Sequence, residues 1–236
     1  DAVLAVLKLF RGAVNLTAFE FFSQLALDKV IAHQGLKAPF DQRMPFYILM
    51  EFDSEDQGAR DAVAALFTQC IDSGLLVDGV MSHSLTQAKA LWRLREDISE
   101  TLWHYQPYKN DISVLASNMP TFIPEAELLI KQGYPDFEVV WYGHIGDGNL
   151  HLNILKPADL SSEIFVEQCA LVTDKIGQLL QKYQGSISAE HGIGLLKRDY
   201  LHYSRSQEDI ALMRGVKSVF DPKHVMNPGK LIPLEP

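Results

Sequence analysis

The sequence predicts an α+β fold in which helices cover one face of a mainly antiparallel sheet and a helical segment follows at the C-terminal end. Two observations carry this prediction. Apolar residues at helical spacing alternate along the chain with short runs rich in β-branched and aromatic residues. One pair of such runs flanks Asp147-Gly148, a dipeptide typical of a two-residue β-hairpin turn. The order of the elements fits a duplicated, ferredoxin-like sheet.

The N-terminal part is predicted to alternate between helices and strands. Gly35 and Gly74 each follow a helical pattern, and glycine is common just after a helix end. The predicted elements are the end of a helix over 1–11, a strand over 16–22, a helix to about His33, a strand over 45–53, a helix over 55–73, a strand over 75–81 and a helix over 84–104.

The rest of the chain is predicted to carry the hairpin and then mostly helices. The predicted elements are a strand over 108–117, a helix over 123–132, the hairpin strands over 138–145 and 149–155, a helix over 160–184, a turn-rich connector over 186–194, helices over 195–201 and 207–220, and an extended tail. A Lys-Pro-Ala-Asp stretch begins at residue 156. We therefore expect a sheet-rich, ferredoxin-like part over 1–156 and a helical C-terminal segment over 157–236.

Composition limits the possible partners and compartment. The 236 residues include 21 basic and 30 acidic ones, and the net charge of −9 disfavours nucleic acid as a partner. Cys70 and Cys169 form no paired motif, which is typical of buried thiols in a reducing compartment. No stretch approaches the ~20 apolar residues of a membrane span, and no signal peptide is evident. We therefore expect a soluble, cytoplasmic protein.

The hairpin brings histidines together. Pairing outward from Asp147-Gly148 puts His144 opposite His151, and directly opposed residues share a face with Cβ atoms about 4.5–5.5 Å apart. Asn153 lies on the same face as His151. Two imidazoles at this separation can bind one metal ion. The alternative is that both histidines simply cap a solvated edge of the sheet.

The connector over 186–194 concentrates a carboxylate, an imidazole and glycines in one loop. Glu190 would complete a His144, His151 and Glu190 ligand set, which is the open arrangement of a catalytic metal site. We expect Zn²⁺, although Mn²⁺, Fe²⁺ and Co²⁺ also suit these ligands. His191 would then be available as a general base. The alternative is that Glu190 and His191 cap a helix.

Three motifs, in order, carry a resemblance to a known family. They are Gly-His144-Ile-Gly-Asp-Gly-Asn-Leu-His151-Leu-Asn, then Ser-Ala-Glu190-His191-Gly-Ile-Gly, then Asp-Pro-Lys-His-Val-Met-Asn227-Pro-Gly-Lys. The chain resembles the C-terminal part of FAD-linked oxidases of the vanillyl-alcohol-oxidase class, also called FAD-binding oxidoreductase type 4. Within that class it is most similar to dehydrogenases of D-2-hydroxyglutarate, with glycolate oxidases and D-lactate dehydrogenases as relatives.

The resemblance implies a two-part flavoenzyme, in which residues 1–156 of this chain form the substrate-binding cap. In that family an N-terminal domain with its own glycine-rich loop holds FAD, and no such loop occurs in this sequence. The chain also begins inside an amphipathic run, which is typical of a fragment. We therefore expect an N-terminally truncated, inactive fragment whose partners are its own FAD-binding domain, a small 2-hydroxyacid and an electron acceptor, either a flavoprotein or a quinone. Apolar surface left exposed would permit a homodimer.

The resemblance also assigns roles to individual residues. It makes His144, His151 and Glu190 the metal ligands and His191 the general base. A metal on the substrate 2-hydroxyl would lower its pKa, and hydride would pass from C2 to the flavin.

Further matching positions concern the substrate and the cofactor. The resemblance implies substrate binding by Arg95, Ser99, Lys109 and Asn153 and cofactor contact by Asn227. Two cations fit a dicarboxylate better than lactate or glycolate. Spacing alone would make Arg95 an ordinary surface ion-pair partner. The family's 2-hydroxyglutarate enzymes can have Thr at the Ser99 position, so the preferred acid stays open.

Three alternatives to oxidation of D-2-hydroxyglutarate stay open. The chain could belong to a D-lactate or glycolate dehydrogenase of the same family. It could be a non-catalytic module that binds metal and hydroxyacid, or a structural cap in which hairpin and loop never meet.

Overall fold

The computed structural model describes residues 1–53, 57–134 and 136–233. The chain forms two compact units, one made of Asp1–Lys109 with Phe137–Leu160 and the other of Asn110–Asp136 with Ser161–Pro236. The stretch 110–136 thus groups with the C-terminal residues. The division of roles at residue 156 stays a prediction.

The first unit contains most of the sheet. Its elements are α1 (Ala2–Arg11), β1 (Leu16–Ser23), α2 (Gln24–Gln34), β2 (Phe46–Phe52), α3 (Gln57–Asp72), α4 (Leu85–Trp103), the start of β3 (Tyr108–Ser113), β4 (Val139–Gly143) and β5 (Asn149–Ile154). The strand order is β2-β1-β4-β5-β3, and the β1–β2, β1–β4 and β4–β5 pairs are antiparallel. The α+β class with an antiparallel sheet is therefore confirmed. The predicted start of α3, residues 54–56, lies outside the described residues.

One row of paired residues runs across four strands. Tyr47 pairs with Phe22, Phe22 with Tyr142, and Tyr142 with His151, so all four side chains share a face. Phe22, Tyr47 and Tyr142 belong to the core cluster that includes the apolar sides of α2 and α4. These two helices therefore pack on the face of the sheet that carries His151.

The opposite face of the sheet is also buried. Trp141, Leu150 and Leu152, which point away from the His151 side, are buried almost completely. Every residue of β5 is buried, including His151 and Asn153. The polar face of this strand is thus an interior surface, whereas a solvated edge was the alternative expected from the sequence.

The predicted hairpin register is wrong. His151 pairs with Tyr142, whereas a two-residue turn would have paired it with His144. The connection is longer because residues 145–147 form a short 3-10 turn, closed by bonds from the N–H of Asp147 and of Asn149 to the carbonyl of His144. Gly148, with φ of 82°, supplies the left-handed residue that this turn needs.

Two further predicted elements differ from the structure. Residues 75–81 form no strand, because the N–H groups of Leu75 and Leu76 bond back to the carbonyl of Cys70 at the end of α3. The helix predicted over 195–201 is replaced by a 3-10 helix over Arg198–Tyr203. Residues 75–81 have no partner strand among the described residues. Near 198–203 the backbone forms i→i+3 bonds, such as that from the N–H of Tyr200 to the carbonyl of Lys197.

The second unit is mainly helical. It contains the end of β3 and three α-helices, which are α5 (Met119–Gly133), α6 (Ser162–Lys182) and α7 (Gln207–Phe220). A Cβ at Gly133 would clash with Val172, so α5 and α6 approach closely there. Ser113 at the end of β3 pairs with Ser186, which fixes the start of the connector. Within the described parts of the chain, no helix has the length and apolar character needed to cross a membrane.

Candidate functional site

Glu20 is the centre of a buried ionic cluster in the first unit. Its side chain is 8% exposed, and its Oε2 accepts hydrogen bonds from Arg95, at 3.0 Å from Nε and 2.9 Å from Nη2. The other oxygen, Oε1, lies 2.8 Å from Nδ1 of His144. One carboxylate on β1 therefore joins a cation on α4 to an imidazole in the hairpin loop.

This arrangement fixes the tautomer of His144. A carboxylate only accepts hydrogen bonds, so the proton of a neutral His144 ring lies on Nδ1 and Nε2 keeps its lone pair. Histidines that bind metals in proteins usually donate their other N–H to such a carboxylate. Sequence reasoning missed Glu20, and its only signal was a lone acidic residue within the apolar run Ala-Phe-Glu-Phe-Phe.

The two hairpin imidazoles lie beside each other despite the wrong register. The ring centroids of His144 and His151 are 5.6 Å apart and the rings are nearly perpendicular. His151 also contacts the ring of Tyr142, with centroids 4.8 Å apart. His144 is more accessible, with 37% of its side chain exposed, whereas His151 is buried. Two neighbouring imidazoles, one of them carboxylate-bonded, fit the donor set of a divalent metal.

Arg95 is a buried residue, so the alternative of an ordinary surface ion pair is wrong, while its predicted contact with substrate stays a prediction. Besides its bonds to Glu20, its guanidinium lies over the ring of Tyr142, at 4.9 Å from the centroid. A guanidinium has several N–H donors, so the bonds to Glu20 do not exhaust it. Ser99 follows one turn later on α4, as predicted.

Lys109 lies next to Ser99. Its Nζ is 3.4 Å from the Ser99 hydroxyl and 4.7 Å from the centre of the Trp103 ring. Burial lowers the pKa of the Lys109 ammonium. The structure thus brings Ser99 and Lys109 together, and Trp103, which the sequence did not single out, completes this group.

Asn153 is buried on β5 with an unsatisfied side-chain oxygen. Its Oδ1, like that of Asn149, has no hydrogen-bond partner among the described residues. A buried amide oxygen without a hydrogen-bond partner lowers the stability of the folded state, and such groups often bind a ligand or a water molecule. This agrees with a polar role for Asn153, while its predicted contact with substrate stays a prediction.

The loop over 188–194 in the second unit is held by Asp111. The Oδ2 atom of this buried aspartate accepts the backbone N–H groups of Ala189, Glu190 and His191 at 3.1, 3.0 and 2.9 Å. The side chains of Glu190 and His191 stay 48% and 54% exposed. No helix begins at these residues, since the next helical segment is the 3-10 helix at Arg198, so the helix-cap alternative is wrong.

Carboxylate and imidazole groups that can bind a metal ion or a proton lie close together at this loop. One ligand atom from each of Asp111, Glu190 and His191 lies within 4.8 Å of the others. Burial raises the pKa of Asp111, but the N–H groups of His191 and Glu190 and the charge of Lys197 outweigh it, and the net pKa is lowered. Asp111 is therefore a carboxylate at neutral pH. Sequence reasoning missed it because nothing local marks its distant partners.

Asn227 lies in a tail that a second buried aspartate shapes. Asp221 accepts the N–H groups of Val225 and Met226 and bonds Nζ of Lys217 at 2.7 Å. Asn227 itself is exposed and has a left-handed backbone with φ of 48°. Its contact with the cofactor stays a prediction.

The predicted metal set draws on both units. His144 and His151 belong to the first unit and Glu190 and His191 to the second. Each pair lies together within its own unit. The metal site of His144, His151 and Glu190, and the role of His191 as the base, stay predictions.

Comparison with known proteins identifies the family. The family model described as FAD linked oxidases, C-terminal domain, matches residues 1–231. The D-2-hydroxyglutarate dehydrogenase of Stutzerimonas stutzeri is 51% identical over 98% of this chain and 50% of its own length. That of Xanthomonas citri pv. viticola is 52% identical over 98% of this chain and 49% of its own length.

A plant protein and a solved structure are also similar to this chain. The mitochondrial D-2-hydroxyglutarate dehydrogenase of Arabidopsis thaliana is 35% identical over 92% of this chain and 38% of its own length. The solved 4-ethylphenol oxidase of Gulosibacter chungangensis, in complex with isoeugenol, has a TM-score of 0.57 at 10% identity, over 91% of this chain and 47% of its own, and supports the fold. The chain spans about half the length of the two bacterial relatives. It belongs to the FAD-linked oxidase C-terminal domain family.

Proposed function

We propose that this chain is the substrate- and metal-binding part of an FAD-dependent dehydrogenase that oxidises D-2-hydroxyglutarate to 2-oxoglutarate. The observation that carries the proposal is the pair of relatives bearing that activity in their names, at 51% and 52% identity over 98% of this chain. The cations, imidazoles and amide described above supply the groups that such a reaction needs.

Two cations suit the two carboxylates of the substrate. Arg95 keeps N–H donors beyond those that bond Glu20, and these donors can bind a carboxylate of the substrate. Lys109, supported by Ser99 and Trp103, supplies a compact second charge. The Asn153 side-chain amide can donate to a substrate oxygen, because its NH₂ group is a donor. A monocarboxylate such as lactate would use only one of the two cations.

His191 is the proposed general base. An imidazole changes its protonation near neutral pH, so it can accept the proton of the substrate 2-hydroxyl. As that proton leaves, the C2–H bond breaks with its electron pair, and the carbon–oxygen bond becomes a carbonyl. The His191 side chain is half exposed, so its ring is accessible to a small molecule.

Metal and flavin would supply the remaining chemistry. A divalent metal, proposed to be Zn²⁺ and bound by His144, His151 and Glu190, would polarise the substrate 2-hydroxyl and lower its pKa. FAD, held mainly by the other part of the protein, would accept the hydride. Within this chain, the bond from Glu20 fixes the His144 ring for such a role.

A second acid is the specific alternative. A relative from Schizosaccharomyces pombe, named as a putative mitochondrial D-lactate dehydrogenase, is 35% identical over 92% of this chain. If D-lactate were the substrate, Lys109 would have no carboxylate to bind.

The direct test is anaerobic flavin reduction in the full-length protein. D-2-hydroxyglutarate should bleach the flavin absorbance in one turnover, L-2-hydroxyglutarate should not, and D-lactate and glycolate should act much more slowly. Equal or faster bleaching by D-lactate would favour the alternative. No bleaching by any of these acids, in a protein shown to contain FAD and metal, would overturn the proposal.

A further inference from the structure

We propose that Asp111 is a positioning residue that holds the loop bearing Glu190 and His191 in its working shape. The assignment of His191 as a base rests on the proposed function, whereas the hold of Asp111 on the loop stands on contacts within one unit. Asp111 would act on the reaction through these two residues without touching the substrate.

Three successive amides converge on one oxygen. The N–H groups of Ala189, Glu190 and His191 all lie within 3.1 Å of Oδ2 of Asp111. Successive N–H groups point to a common centre only when the backbone forms a concave nest, which binds anions. Gly192 follows with φ of 79°, a conformation that glycine adopts easily. The carboxylate therefore fixes the backbone at both predicted site residues.

Asp111 is itself held firmly. Its side chain is 1% exposed, and Nζ of Lys197 donates to its backbone carbonyl at 3.0 Å while lying 3.9 Å from Oδ2. The buried negative charge is thus balanced by backbone donors and by one nearby ammonium. Such a carboxylate has little freedom to move, which makes it a suitable anchor.

The same carboxylate faces the ring of His191. Its Oδ2 lies 3.8 Å from Nδ1 of His191, which is longer than a hydrogen bond. The other ring nitrogen, Nε2, lies 3.7 Å from Oε1 of Glu190, so the ring lies between the two carboxylates.

The test uses Asp111→Asn and Asp111→Ala in the full-length protein. Asparagine keeps one acceptor oxygen but lacks the negative charge. Alanine has neither the acceptor oxygen nor the charge. The matched control is Asp209→Asn, because Asp209 accepts a backbone N–H, that of Ser206, at the start of α7 in the same unit. All three variants are compared with the unsubstituted protein by hydrogen exchange, metal content and flavin reduction.

Hydrogen exchange tests the hold on the loop without reference to activity. Amide exchange in a peptide covering 187–193 should be about 10-fold or more faster in Asp111→Ala, with a smaller change in Asp111→Asn. Peptides elsewhere, and all peptides of Asp209→Asn beyond the start of α7, should be unaffected. Unchanged exchange in 187–193 would overturn the inference even if activity fell.

Kinetics test the consequence for chemistry. The rate of flavin reduction should fall about 10- to 100-fold in Asp111→Ala, because a small displacement of a catalytic group costs this much. The KM for D-2-hydroxyglutarate should change little, and the solvent isotope effect on reduction should increase as proton transfer slows. A variant that is merely less stable would lose active protein while each remaining site kept its normal rate and isotope effect.

Two further outcomes would overturn the inference. Faster loop exchange with a normal reduction rate would mean that the loop geometry does not matter for catalysis. Loss of metal with normal loop exchange would make Asp111 a ligand and not a positioning residue. If D-2-hydroxyglutarate fails to reduce the flavin of the unsubstituted protein, the proposed function fails, and the exchange data still test the hold of Asp111 on the loop.

Discussion

The hairpin and the loop over 188–194 hold their predicted site residues in opposite ways. In the hairpin the side chains are fixed, because His144 bonds Glu20 and His151 packs against Tyr142. In the loop the backbone is fixed by Asp111, and the side chains of Glu190 and His191 stay half exposed. A buried carboxylate organises each region, but it acts on a ring in one and on the chain in the other.

The difference predicts different costs of substitution. In the hairpin cluster the carboxylate also balances a buried guanidinium, so its loss affects folding as well as function. In the loop the carboxylate is balanced mainly by backbone donors, which can turn to water when it is removed. Removing the carboxylate of the hairpin cluster should therefore mainly lower the stability of the protein. Removing the carboxylate that holds the loop should mainly lower the reaction rate.

The largest expected effect is on stability, from Glu20→Ala. This substitution leaves the buried guanidinium of Arg95 without its carboxylate, which should lower the free energy of unfolding by roughly 3–5 kcal/mol. The measurement is denaturant unfolding of the chain. The matched control is Glu138→Ala, because Glu138 pairs with Lys29 at 2.7 Å while half exposed and should matter far less. Similar losses in both variants would refute the special role of the buried cluster.

The second prediction concerns metal content. If the hairpin pair and Glu190 bind one ion, His144→Ala and Glu190→Ala should each lose most of the metal, measured by elemental mass spectrometry on the full-length protein. Glu20→Gln should weaken metal binding about 10- to 100-fold, because it disturbs the partner of a ligand. His104→Ala is the control, because the ring of His104 packs against that of His33, with centroids 4.2 Å apart. If Glu190→Ala retained the metal, Glu190 would not be a ligand, and the loop over 188–194 would supply nothing to the metal site.

The third prediction tests whether Lys109 binds the second carboxylate of the substrate. Lys109→Ala should raise the KM for D-2-hydroxyglutarate about 10- to 100-fold, the cost of one charge-assisted hydrogen bond, and should leave D-lactate kinetics almost unchanged. Because burial lowers the pKa of Lys109, its charge is lost at lower pH than for an ordinary lysine, and the KM should rise with pH accordingly. In Lys109→Arg this rise should disappear, since arginine stays charged. Equal losses for both acids would exclude a role in selectivity.

The sequence predicted most elements but few of the contacts between them. Helix ends at Ser84 and Gly35 carry local signals, and both were predicted correctly. The bond from Arg95 to Glu20 joins residues 75 positions apart, and that from His191 to Asp111 joins residues 80 apart. Periodicity reports on neighbours along the chain, so it cannot reveal such distant partners. The hairpin register failed for a local reason, because Asp147-Gly148 also fits the end of a longer loop.

The smallest expected effect sharpens the comparison with a third buried carboxylate. Asp221 holds backbone N–H groups as Asp111 does, but in the tail. The bond from Lys217, with those of Val225 and Met226, lowers the pKa of Asp221 despite an opposing effect of burial. A lowered pKa in the folded state means that the stabilisation is present above the unfolded pKa of about 3.9 and is lost as the pH falls through the lower folded value.

The unfolding temperature of Asp221→Asn should thus lie modestly below that of the unsubstituted chain at pH 7, and the gap should close below about pH 4. The exposed Asp199 gives the control variant Asp199→Asn, for which no such gap is expected. A gap that persists in acid would mean that the charge of Asp221 is not what stabilises the tail, and that an aspartate can hold a loop by shape alone.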